Sequence, residues 1–521
     1  MPEDSGFRIT YATMSADNEA LHEAYDRGIE EARGRLGFDH PFYVDGQERS
    51  GEGGVATTSP IDREIVMGRF AQATAADVSD AVAAARGFAP TWAATPWQER
   101  VQSLMRAADL ISERRNVLAA LMAFEVGKNR LEALGDVEES ADLIRYYCHD
   151  MERNDGFVTP MTRLSPAEAT SDVMRPHGVW GVISPFNFPM ALAAGPTGAA
   201  LVAGNTVVLK PATIGSLCGL EFWRTMIDAG IPAGAFHVVT GSGSVAGREL
   251  ASLVDGVTFT GSYEVGMGIY RTFSTDYPKP AICEMGGKNP VIVSRHADLD
   301  VAASGISRSA FGFGGQKCSA ASRAYVEAPV YDELMERLVE KASEVVVGNP
   351  LDRDVFLGPV IDEAAVSRYE EATAEAEKNG AVVEGGHRLT DGDMARGTFV
   401  APTIVEAAAD SWLWRRELFV PFVAIDRVAS VAEGLERAND TEYGLTAGFF
   451  SADDDEVAHF LDGIDAGVVY VNRPSGATTG AWPAVQPFGG WKGSGTGGKG
   501  GGGPYYLTQY MREQSRTIIE S

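Results

Sequence analysis

One of the four cysteines lies in a segment whose other residues are small, polar or basic. The stretch GFGGQKCSAASR, residues 312–323, places Cys318 after glycines and a lysine and before serine and alanine. A free cysteine is most often buried as a small hydrophobic residue, but these neighbours are too small and polar to form a good core segment. Glycines allow the backbone to approach a ligand closely, and a backbone amide here could stabilise an oxyanion. A buried structural cysteine and a reactive thiol both remain open from this segment alone.

Two further segments each combine a β-type run, a glycine turn and the start of a helix. In VVTGSGSVAGREL, residues Gly241, Gly243 and Gly247 follow GxGxxxG spacing, which differs from the dinucleotide fingerprint by one position. In VTFTGSYEVGMGIY, Gly261 and Ser262 are expected at a helix N-terminus, where backbone amides could bind a pyrophosphate. Each segment is compatible with nucleotide binding or with an ordinary strand-to-helix turn.

A lysine and the absence of metal-binding patterns complete the candidate chemistry. Lys210 ends the β-type run VVLKPA, where its ammonium group could reach ribose hydroxyls or a phosphate. The eight histidines include no HxxxH or HExxH pair, and the carboxylates show no metal-ligand spacing. The sequence therefore predicts thiol and nucleotide chemistry without a metal.

The composition is that of a globular protein with room for several domains. The chain has 521 residues, 45% of them hydrophobic, and such a length favours about two to four domains. The four cysteines show no CxxC spacing and cannot form a disulfide framework in so long a chain, which predicts a reducing compartment. The start MPEDSGFRIT does not resemble a signal peptide, and the apolar stretch 188–204 is interrupted by proline and glycine. We therefore predict a cytoplasmic protein without a membrane segment.

The charge excludes two classes of partner. Asp and Glu number 72 against 44 Lys and Arg, which gives a net charge of −28. Nucleic acid and anionic membranes both depend on clustered basic charge, so neither is expected to bind. Two interpretations stay open, an ordinary acidic cytosolic enzyme or adaptation to high salt, in which ions screen the repulsion between surface carboxylates.

Short β-type runs alternate with helix-length segments along most of the chain. Residues 72–150 carry apolar residues at three- and four-residue spacing, which predicts helices. Strand and helix patterns then alternate from about residue 174 onward. This alternation favours parallel sheets with helices on both faces, so we predict two α/β domains in succession. The tail FGGWKGSGTGGKGGGGPYYLTQY contains a tryptophan and two tyrosines, which predicts an ordered loop rather than a flexible linker.

Seven motifs occur in an order that is typical of one enzyme family. They are PFNFP with Asn187, KPA with Lys210, FTGS with Gly261, EMGGKNP with Glu284, GQKCSAASR with Cys318, ELFVPF with Glu417, and PFGGWKGSG near the C-terminus. With this set the chain resembles the aldehyde dehydrogenase superfamily from about residue 40 to its end. The resemblance is strongest to the 1-pyrroline-5-carboxylate dehydrogenases, which oxidise L-glutamate γ-semialdehyde to L-glutamate in proline catabolism.

The resemblance implies an α/β fold with two doubly wound Rossmann-like domains and a small β oligomerisation element. A nucleotide-binding domain would span 1–283, with oligomerisation strands inserted near 155–175, and a catalytic domain would span 284–471. Residues 472–521 would form the substrate-anchor loop and a C-terminal oligomerisation segment. GFVTPMTRL and QYMREQSRTIIES have the alternation of edge strands, which predicts a homodimer or a higher even homo-oligomer.

The same resemblance assigns catalytic roles to Cys318, Glu284 and Asn187. A thiolate adds to an aldehyde to form a thiohemiacetal, which can lose hydride to a nicotinamide and leave a thioester; Cys318 would be this nucleophile. The Asn187 side chain and the Cys318 backbone amide would stabilise the oxyanion. Glu284 would activate water as a general base, with its pKa raised by burial. A glutamate that only caps a helix or solvates a turn is the alternative.

A nicotinamide cofactor follows from the resemblance as well. Lys210 would bind the adenosine ribose and Ser262 the pyrophosphate, while Glu417 and Phe419 would lie near the nicotinamide. The complete predicted set is Ser184, Pro185, Lys210, Gly243, Gly261, Ser262, Glu417 and Phe419. Thr213 stands where the family usually has an acidic residue, and a missing carboxylate removes repulsion against a 2′-phosphate. NAD is therefore expected, with NADP as an open alternative.

The resemblance finally implies an anchor loop whose backbone amides bind the remote carboxylate of a semialdehyde. Glu139 would face the substrate amino group and Phe488 its methylene groups. The complete predicted substrate set is Glu139, Phe188, Ser319, Gly480, Ala481 and Phe488. Val420 replaces a family glycine, a change that the sequence does not explain. The segment between Asn472 and Gly480 is longer than in the family, which changes the expected shape of the pocket. Succinic, aminoadipic or ketoglutaric semialdehyde therefore stay open as substrates, and a catalytically silent homologue is a third alternative.

Overall fold

A computed structural model describes residues 18–477 and 482–519. Gly480 and Ala481, which were predicted for the anchor loop, lie outside these residues. The helices are α1 (Glu19–Arg33), α2 (Ala75–Ala94), α3 (Trp97–Glu113), α4 (Arg115–Val126), α5 (Arg130–Arg153), α6 (Ala191–Ala203), α7 (Ser216–Asp228), α8 (Arg248–Leu253), α9 (Tyr263–Thr272), α10 (Leu299–Phe311), α11 (Tyr331–Ser343), α12 (Glu363–Asn379), α13 (Val431–Asn439) and α14 (Asp454–Gly463). The strands are β1 (Phe38–His40), β2 (Phe42–Val44), β3 (Gln47–Arg49), β4 (Gly54–Thr58), β5 (Val66–Ala71), β6 (Val158–Pro160), β7 (Glu168–Pro176), β8 (Val179–Ile183), β9 (Thr206–Lys210), β10 (Phe236–Val238), β11 (Gly256–Thr260), β12 (Ala281–Glu284), β13 (Asn289–Val293), β14 (Ala321–Glu327), β15 (Gly380–Glu384), β16 (Thr403–Ala407), β17 (Phe422–Val428), β18 (Tyr443–Gly444), β19 (Thr446–Phe450), β20 (Val468–Val471), β21 (Trp491–Lys492) and β22 (Met511–Ile519).

The first large sheet has seven strands in the order β12-β11-β8-β9-β10-β2-β3. Strands β8 to β12 are parallel, whereas β2 pairs antiparallel with β10. Every residue of β8 and β9 is buried, as expected for parallel strands with helices on both faces. The chain runs from β8 outward to β10 and then returns to β11 on the other side of β8. Ligands of such sheets bind at the carboxyl ends of the strands beside this reversal.

The second large sheet also has seven strands, in the order β15-β16-β17-β14-β13-β19-β20. All neighbouring strands are parallel except β15, which pairs antiparallel with β16 at one edge. The predicted α/β fold with two doubly wound sheets is thereby confirmed. The predicted division between residues 283 and 284 falls inside β12, the outermost strand of the first sheet, and stays a prediction as a domain boundary.

A third, antiparallel sheet contains the segments predicted as edge strands. Its order is β22-β7-β6, and β22 pairs with β7 from Met511 opposite Pro176 to Ile519 opposite Glu168. The large apolar side chains exposed on or beside this sheet are Val158, Met161, Leu164, Ile518 and Ile519. Exposed apolar clusters of this kind mark interaction surfaces, so the small sheet is the surface to consider for assembly.

Helices α4, α5 and α6 form a buried support beneath the first sheet. Asn129 caps α5 through a hydrogen bond from the Glu132 amide at 3.0 Å, a favourable arrangement for an N-terminus. Helix α4 ends at Gly127, whose φ of 78° suits glycine. All of α6 except Leu192 is buried, so α5 lies between α6 and the more exposed helix α3.

The C-terminal tail is ordered where the structure describes it, as predicted. Strand β21 pairs antiparallel with β18, and Phe488 and Gly501 exchange backbone hydrogen bonds of 3.0 and 2.7 Å. Across residues 18–477 and 482–519, no helix is both long and apolar enough to cross a bilayer.

Candidate active site

The loop that carries Cys318 connects α10 with β14 and has an unusual backbone. Phe313 has a φ of 48°, and the two following glycines both have a φ of 64°. A Cβ at Gly315 would lie 2.2 Å from the Val420 carbonyl oxygen, so only glycine fits there. The unexplained Val420 thus packs its backbone against the cysteine loop. A left-handed φ at a non-glycine residue such as Phe313 is costly and often marks a functional loop.

Side chains from the second sheet fix the backbone on both sides of Cys318. The Asn289 amide donates to the Cys318 carbonyl at 2.6 Å and to the Ala320 carbonyl at 2.9 Å. The Thr446 hydroxyl donates to the Ser319 carbonyl at 3.1 Å, and the Thr446 amide donates to Asn289 Oδ1 at 3.0 Å. Of the four cysteines, three are buried and Cys318 is partly exposed. The loop therefore presents Cys318 in a fixed orientation.

Asn187 lies against the same loop from the first sheet. It follows the carboxyl end of β8, and its side-chain Nδ2 donates to the Gln316 carbonyl at 3.0 Å. Gln316 is itself fully buried and accepts the Ile361 amide at 2.8 Å. The structure thus brings the predicted oxyanion donor within two residues of the predicted nucleophile.

Glu284 occupies the carboxyl end of β12. Its Oε2 accepts a hydrogen bond from the Gly490 amide at 3.3 Å. Burial raises the pKa of Glu284 to about 8, and the Gly490 amide opposes this shift. A carboxylate with a pKa near neutrality can accept a proton from water and release it again, as a general base must.

The surroundings of Cys318 favour the protonated thiol over the thiolate. Burial raises its pKa to about 12, and the carboxylates of Glu417 and Glu284 add to the shift. Glu417 accepts the Gly287 amide at 2.9 Å, and burial raises the pKa of Glu417 to about 7. Glu284 and Glu417 are therefore both near enough to Cys318 to influence its pKa, and burial raises the pKa of each carboxyl group toward neutrality.

A cavity of about 1270 Å³ opens at the carboxyl ends of β8, β9 and β11 and extends to Cys318. All eight residues predicted for the cofactor line it, together with Asn187 and Cys318; these eight are Ser184, Pro185, Lys210, Gly243, Gly261, Ser262, Glu417 and Phe419. The lining also includes residues that the sequence did not single out, such as Arg248 and Tyr443. The place of the cavity beside the strand reversal is the one expected for a dinucleotide.

The polar groups of this cavity fit a dinucleotide. The Ser184 hydroxyl is buried and has no hydrogen-bond partner among the described residues, so a bound polar group would satisfy it. Ser262 caps α9 at the cavity wall, accepting the Val265 amide at 3.4 Å, and the first amides of a helix attract phosphate. Burial lowers the pKa of Lys210 to about 8. Phe419, with a φ of 58°, meets Phe186 edge-to-face at 5.9 Å.

The residues predicted for the substrate lie outside this cavity. Ser319 and Glu139 are both more than nine-tenths buried, Phe188 is half-buried, and Phe488 lies in the tail beside Gly501. Gly480 and Ala481 fall outside the described residues, so their roles remain predictions. The substrate roles of Glu139, Phe188, Ser319 and Phe488 also remain predictions.

Helix α5 supplies charged groups that the sequence reading missed. Lys317, next to the nucleophile, forms an ion pair of 2.7 Å with Glu132. Lys128 and Asp136 form a fully buried ion pair of 2.6 Å, and the Lys128 ammonium lies 3.4 Å from the centre of the Phe188 ring. We call these four residues with Phe188 the α5 cluster. Nothing in the sequence pairs Lys317 with Glu132, because the two residues are 185 positions apart.

Known proteins share this architecture. The aldehyde dehydrogenase family model matches residues 46–515. The chain is 37% identical over 511 residues to 1-pyrroline-5-carboxylate dehydrogenase of Bacillus mycoides, covering 96% of this chain and 97% of that protein. The structure of 1-pyrroline-5-carboxylate dehydrogenase from Thermus with bound NAD is 32% identical, with a TM-score of 0.91 and coverage of 97% and 98%. Proline utilization A from Bdellovibrio bacteriovorus is 35% identical with a TM-score of 0.92, and the match covers 96% of this chain but 52% of that longer one. The chain belongs to the aldehyde dehydrogenase family.

Proposed function

We propose that this chain is an NAD(P)-dependent dehydrogenase that oxidises L-glutamate γ-semialdehyde, the open form of 1-pyrroline-5-carboxylate, to L-glutamate. The observation that carries the proposal is the position of Cys318 in the wall of a dinucleotide-sized cavity, together with Asn187 and Glu417. The identities of 37% and 32% to two 1-pyrroline-5-carboxylate dehydrogenases over nearly their whole lengths support this substrate.

The thiol step depends on Cys318 and Asn187. The Cys318 thiol would first release its proton to water. Addition of the resulting thiolate to the aldehyde carbon would then form a C–S bond and place negative charge on the former carbonyl oxygen. Asn187 has two amide hydrogens, of which one is donated to Gln316, so the second can stabilise that oxygen together with the Cys318 backbone amide. A nicotinamide cofactor bound in the cavity would supply the acceptor for the hydride that this carbon loses. A thioester on Cys318 remains.

Hydrolysis of the thioester depends on Glu284. The Glu284 carboxylate would remove a proton from a water molecule while the oxygen of that water attacks the thioester carbon. Because burial raises the pKa of Glu284 to about 8, the fraction of active carboxylate increases as the pH rises through this value. The rate of hydrolysis should increase over the same range, and the Cys318 thiol leaves as the acid is released.

The cofactor would be held by the residues of the cavity wall. Lys210 and Ser262 would bind the adenosine ribose and the pyrophosphate, and the Ser184 hydroxyl supplies a further polar contact. Thr213 in place of a carboxylate supports acceptance of NADP beside NAD.

The substrate carboxylate would be held by Ser319 and the anchor loop at Gly480 and Ala481. Glu139 would face the substrate amino group, whereas Phe188 and Phe488 would line its methylene groups. The ammonium group of Lys128 behind Phe188 supports a fixed position of that ring, since a cation over an aromatic face is stabilising.

Initial rates of cofactor reduction with a panel of aldehydes test the proposal. L-Glutamate γ-semialdehyde should give a kcat/KM at least about tenfold above succinic, aminoadipic and ketoglutaric semialdehydes, since unpaired polar groups in a specific pocket disfavour analogues. A larger kcat/KM with another semialdehyde would show that this other semialdehyde is the preferred substrate. Absence of reduction with every aldehyde would favour a silent homologue.

We also propose a homodimer or a higher even homo-oligomer in the cytoplasm. The exposed apolar side chains around β6, β7 and β22 support the small sheet as the contact surface. A net charge of −28 per chain opposes association at low ionic strength, and molar salt shortens this repulsion to about 3 Å. Sedimentation across a salt series should show the oligomer weakening as salt is removed. A monomer at every salt concentration contradicts the assembly, and an oligomer indifferent to salt contradicts adaptation to high salt.

A further inference from the structure

Residues 490–496 of the tail run along the outer edge of the first sheet, and we call them the glycine strap. The strap begins its contact with β12 at Thr496. The Thr496 hydroxyl donates to the Ala281 carbonyl at 2.8 Å and accepts the Cys283 amide at 2.9 Å, and the Thr496 amide donates to the Cys283 carbonyl at 3.1 Å. One side chain therefore supplies both a donor and an acceptor to an edge strand that would otherwise be unpaired.

Ser494, two residues before Thr496, bonds the strap to the residues that follow β12 and to Gly444. Its carbonyl accepts the Met285 amide at 2.8 Å, and its hydroxyl donates to the Gly286 carbonyl at 2.7 Å. The same hydroxyl accepts the Gly444 amide at 3.0 Å. Ser494 is completely buried, and Gly444 ends β18, two positions before Thr446 begins β19 of the second sheet. Ser494 thus joins the residues that follow Glu284 to the sheet that carries the cysteine loop.

The strap places one amide on the Glu284 carboxylate. Gly490 N–H donates to Glu284 Oε2 at 3.3 Å, the one hydrogen bond that this carboxylate receives from the described part of the chain. A Cβ at Gly490 would lie 2.5 Å from the Ser494 carbonyl carbon, so the two residues are in direct backbone contact. A Cβ at Gly489 would lie 3.7 Å from Glu284 Oε1. The position of the Gly490 amide consequently depends on where Ser494 is held.

We propose that Ser494 and Thr496 are positioning residues for the general base, acting through the Gly490 amide on the orientation and protonation of Glu284. The inference rests on the proposed role of Glu284 in thioester hydrolysis. It gives a function to the motif PFGGWKGSG beyond edge protection, because the strap's two hydroxyls are bonded at Ala281 and Gly286, on either side of the carboxylate.

The strap should affect the pH dependence of hydrolysis. The titratable groups that face Glu284 are Cys318 from the cysteine loop, Tyr506 and Tyr510 from the tail, and Cys283 on its own strand. Burial raises the pKa of all four, so they are neutral near pH 7. The Gly490 amide lowers the pKa of Glu284 against the effect of burial. Loss of this hydrogen bond therefore raises the pKa, and hydrolysis then requires a higher pH.

Rapid-mixing and steady-state kinetics of Thr496→Val and Ser494→Ala test the inference. Each variant should retain a burst of about one reduced cofactor per site, while the steady-state rate falls roughly tenfold and its pH midpoint rises. Thr496→Ser, which keeps the hydroxyl, should restore the wild-type midpoint. Thr508→Ala is the matched control, because its hydroxyl bonds only to the Tyr505 carbonyl within the same tail and should change neither quantity.

Three results would overturn the role of the strap. They are an unchanged steady-state rate and midpoint in Thr496→Val, an equal loss of burst and steady-state rate, and a failure of Thr496→Ser to restore the midpoint. If Ser494→Ala does not fold, the comparison of Thr496→Val with Thr496→Ser still tests the role of the strap. Glu284→Gln separates the two proposals, because a burst followed by a stall in that variant keeps the general base even where the strap fails.

Discussion

The two regions that meet at Cys318 are built in different ways. The cofactor cavity is open, about 1270 Å³ in volume, and is lined by residues at the carboxyl ends of neighbouring strands. The α5 cluster is closed, and its central ion pair between Lys128 and Asp136 is completely buried. The first region leaves polar groups such as the Ser184 hydroxyl for a ligand. The second pairs its two lysines with two carboxylates, although Glu132 Oε2 has no hydrogen-bond partner among the described residues.

This difference indicates a division of labour around one nucleophile. An open cleft can bind and release a cofactor, but it does not determine where Asn187 and Cys318 stand. The α5 cluster can do so, because Asp136 accepts the Ala191 amide at 2.8 Å beside the Asn187 loop, while Lys317 directly precedes Cys318. Substitutions in the cavity should therefore change cofactor binding, and substitutions in the cluster should change stability and geometry.

Cys318→Ser should have the largest effect and should separate chemistry from cofactor binding. Aldehyde oxidation should fall by about a thousandfold or more, because a serine hydroxyl forms an alkoxide far less readily than a cysteine thiol forms a thiolate. The dissociation constant for NAD, measured by calorimetry, should stay within about twofold of wild type. Turnover above a few per cent of wild type would refute the nucleophile assignment.

Asp136→Asn should destabilise the whole fold while sparing the cofactor cavity. Removal of one charge from a fully buried pair leaves Lys128 uncompensated, which costs about 3–5 kcal/mol in the free energy of unfolding. The matched control is Asp440→Asn, because Asp440 pairs with Arg415 and both side chains are 66% exposed; it should cost at most about 1 kcal/mol. Denaturant titration measures the free energy of unfolding of both variants. Equal losses would show that the buried pair of the α5 cluster stabilises the fold no more than an exposed ion pair does.

The rate of Cys318 alkylation should depend on pH, because it reports the pKa of the thiol where the two regions meet. Because the pKa of the thiol is raised to about 12, the thiolate fraction rises about tenfold per pH unit below that value. Iodoacetamide labelling, followed by mass spectrometry, should accelerate about a hundredfold between pH 7 and pH 9 and occur at Cys318 ahead of the buried cysteines. A rate independent of pH over this range would show a preformed thiolate instead.

Lys210→Met should have the smallest of these effects and be confined to the cavity. The variant removes a cation that can reach ribose hydroxyls, so the dissociation constant for NAD should rise roughly tenfold. The KM for the aldehyde should not change. An unchanged cofactor affinity would show that the ammonium serves only its bond to the Pro211 carbonyl at 3.0 Å.

The contrast between the regions also explains what the sequence could predict. Buried parallel strands read as continuous apolar runs, and β8, β9 and β11 were visible for this reason together with the residues that follow them. Ser184, Lys210 and Gly261 each lie at or just after the carboxyl end of a parallel strand. Their positions next to predicted strands were therefore enough to place them in one cavity. The two doubly wound sheets followed from the same alternation.

The contact between α5 and the cysteine loop could not be predicted, because it joins segments far apart in the chain. Glu132 and Lys317 are 185 positions apart. In the glycine strap, Thr496 bonds to Cys283, which lies 213 positions before it. The substrate role of Glu139 on α5 stays a prediction, and the structure places Glu132 of the same helix beside Lys317. Only the fold determines which turn of a helix faces a loop.

Mass spectrometry of Glu284→Gln during turnover tests the central claim most directly. The variant is mixed with L-glutamate γ-semialdehyde and NAD, quenched in acid and digested. The peptide that contains Cys318 should carry the mass of one glutamyl group, with about one reduced cofactor formed per site, because the thioester forms but is not hydrolysed. Reduced cofactor with an unmodified Cys318 peptide, or an adduct on Cys283 instead, would contradict the account.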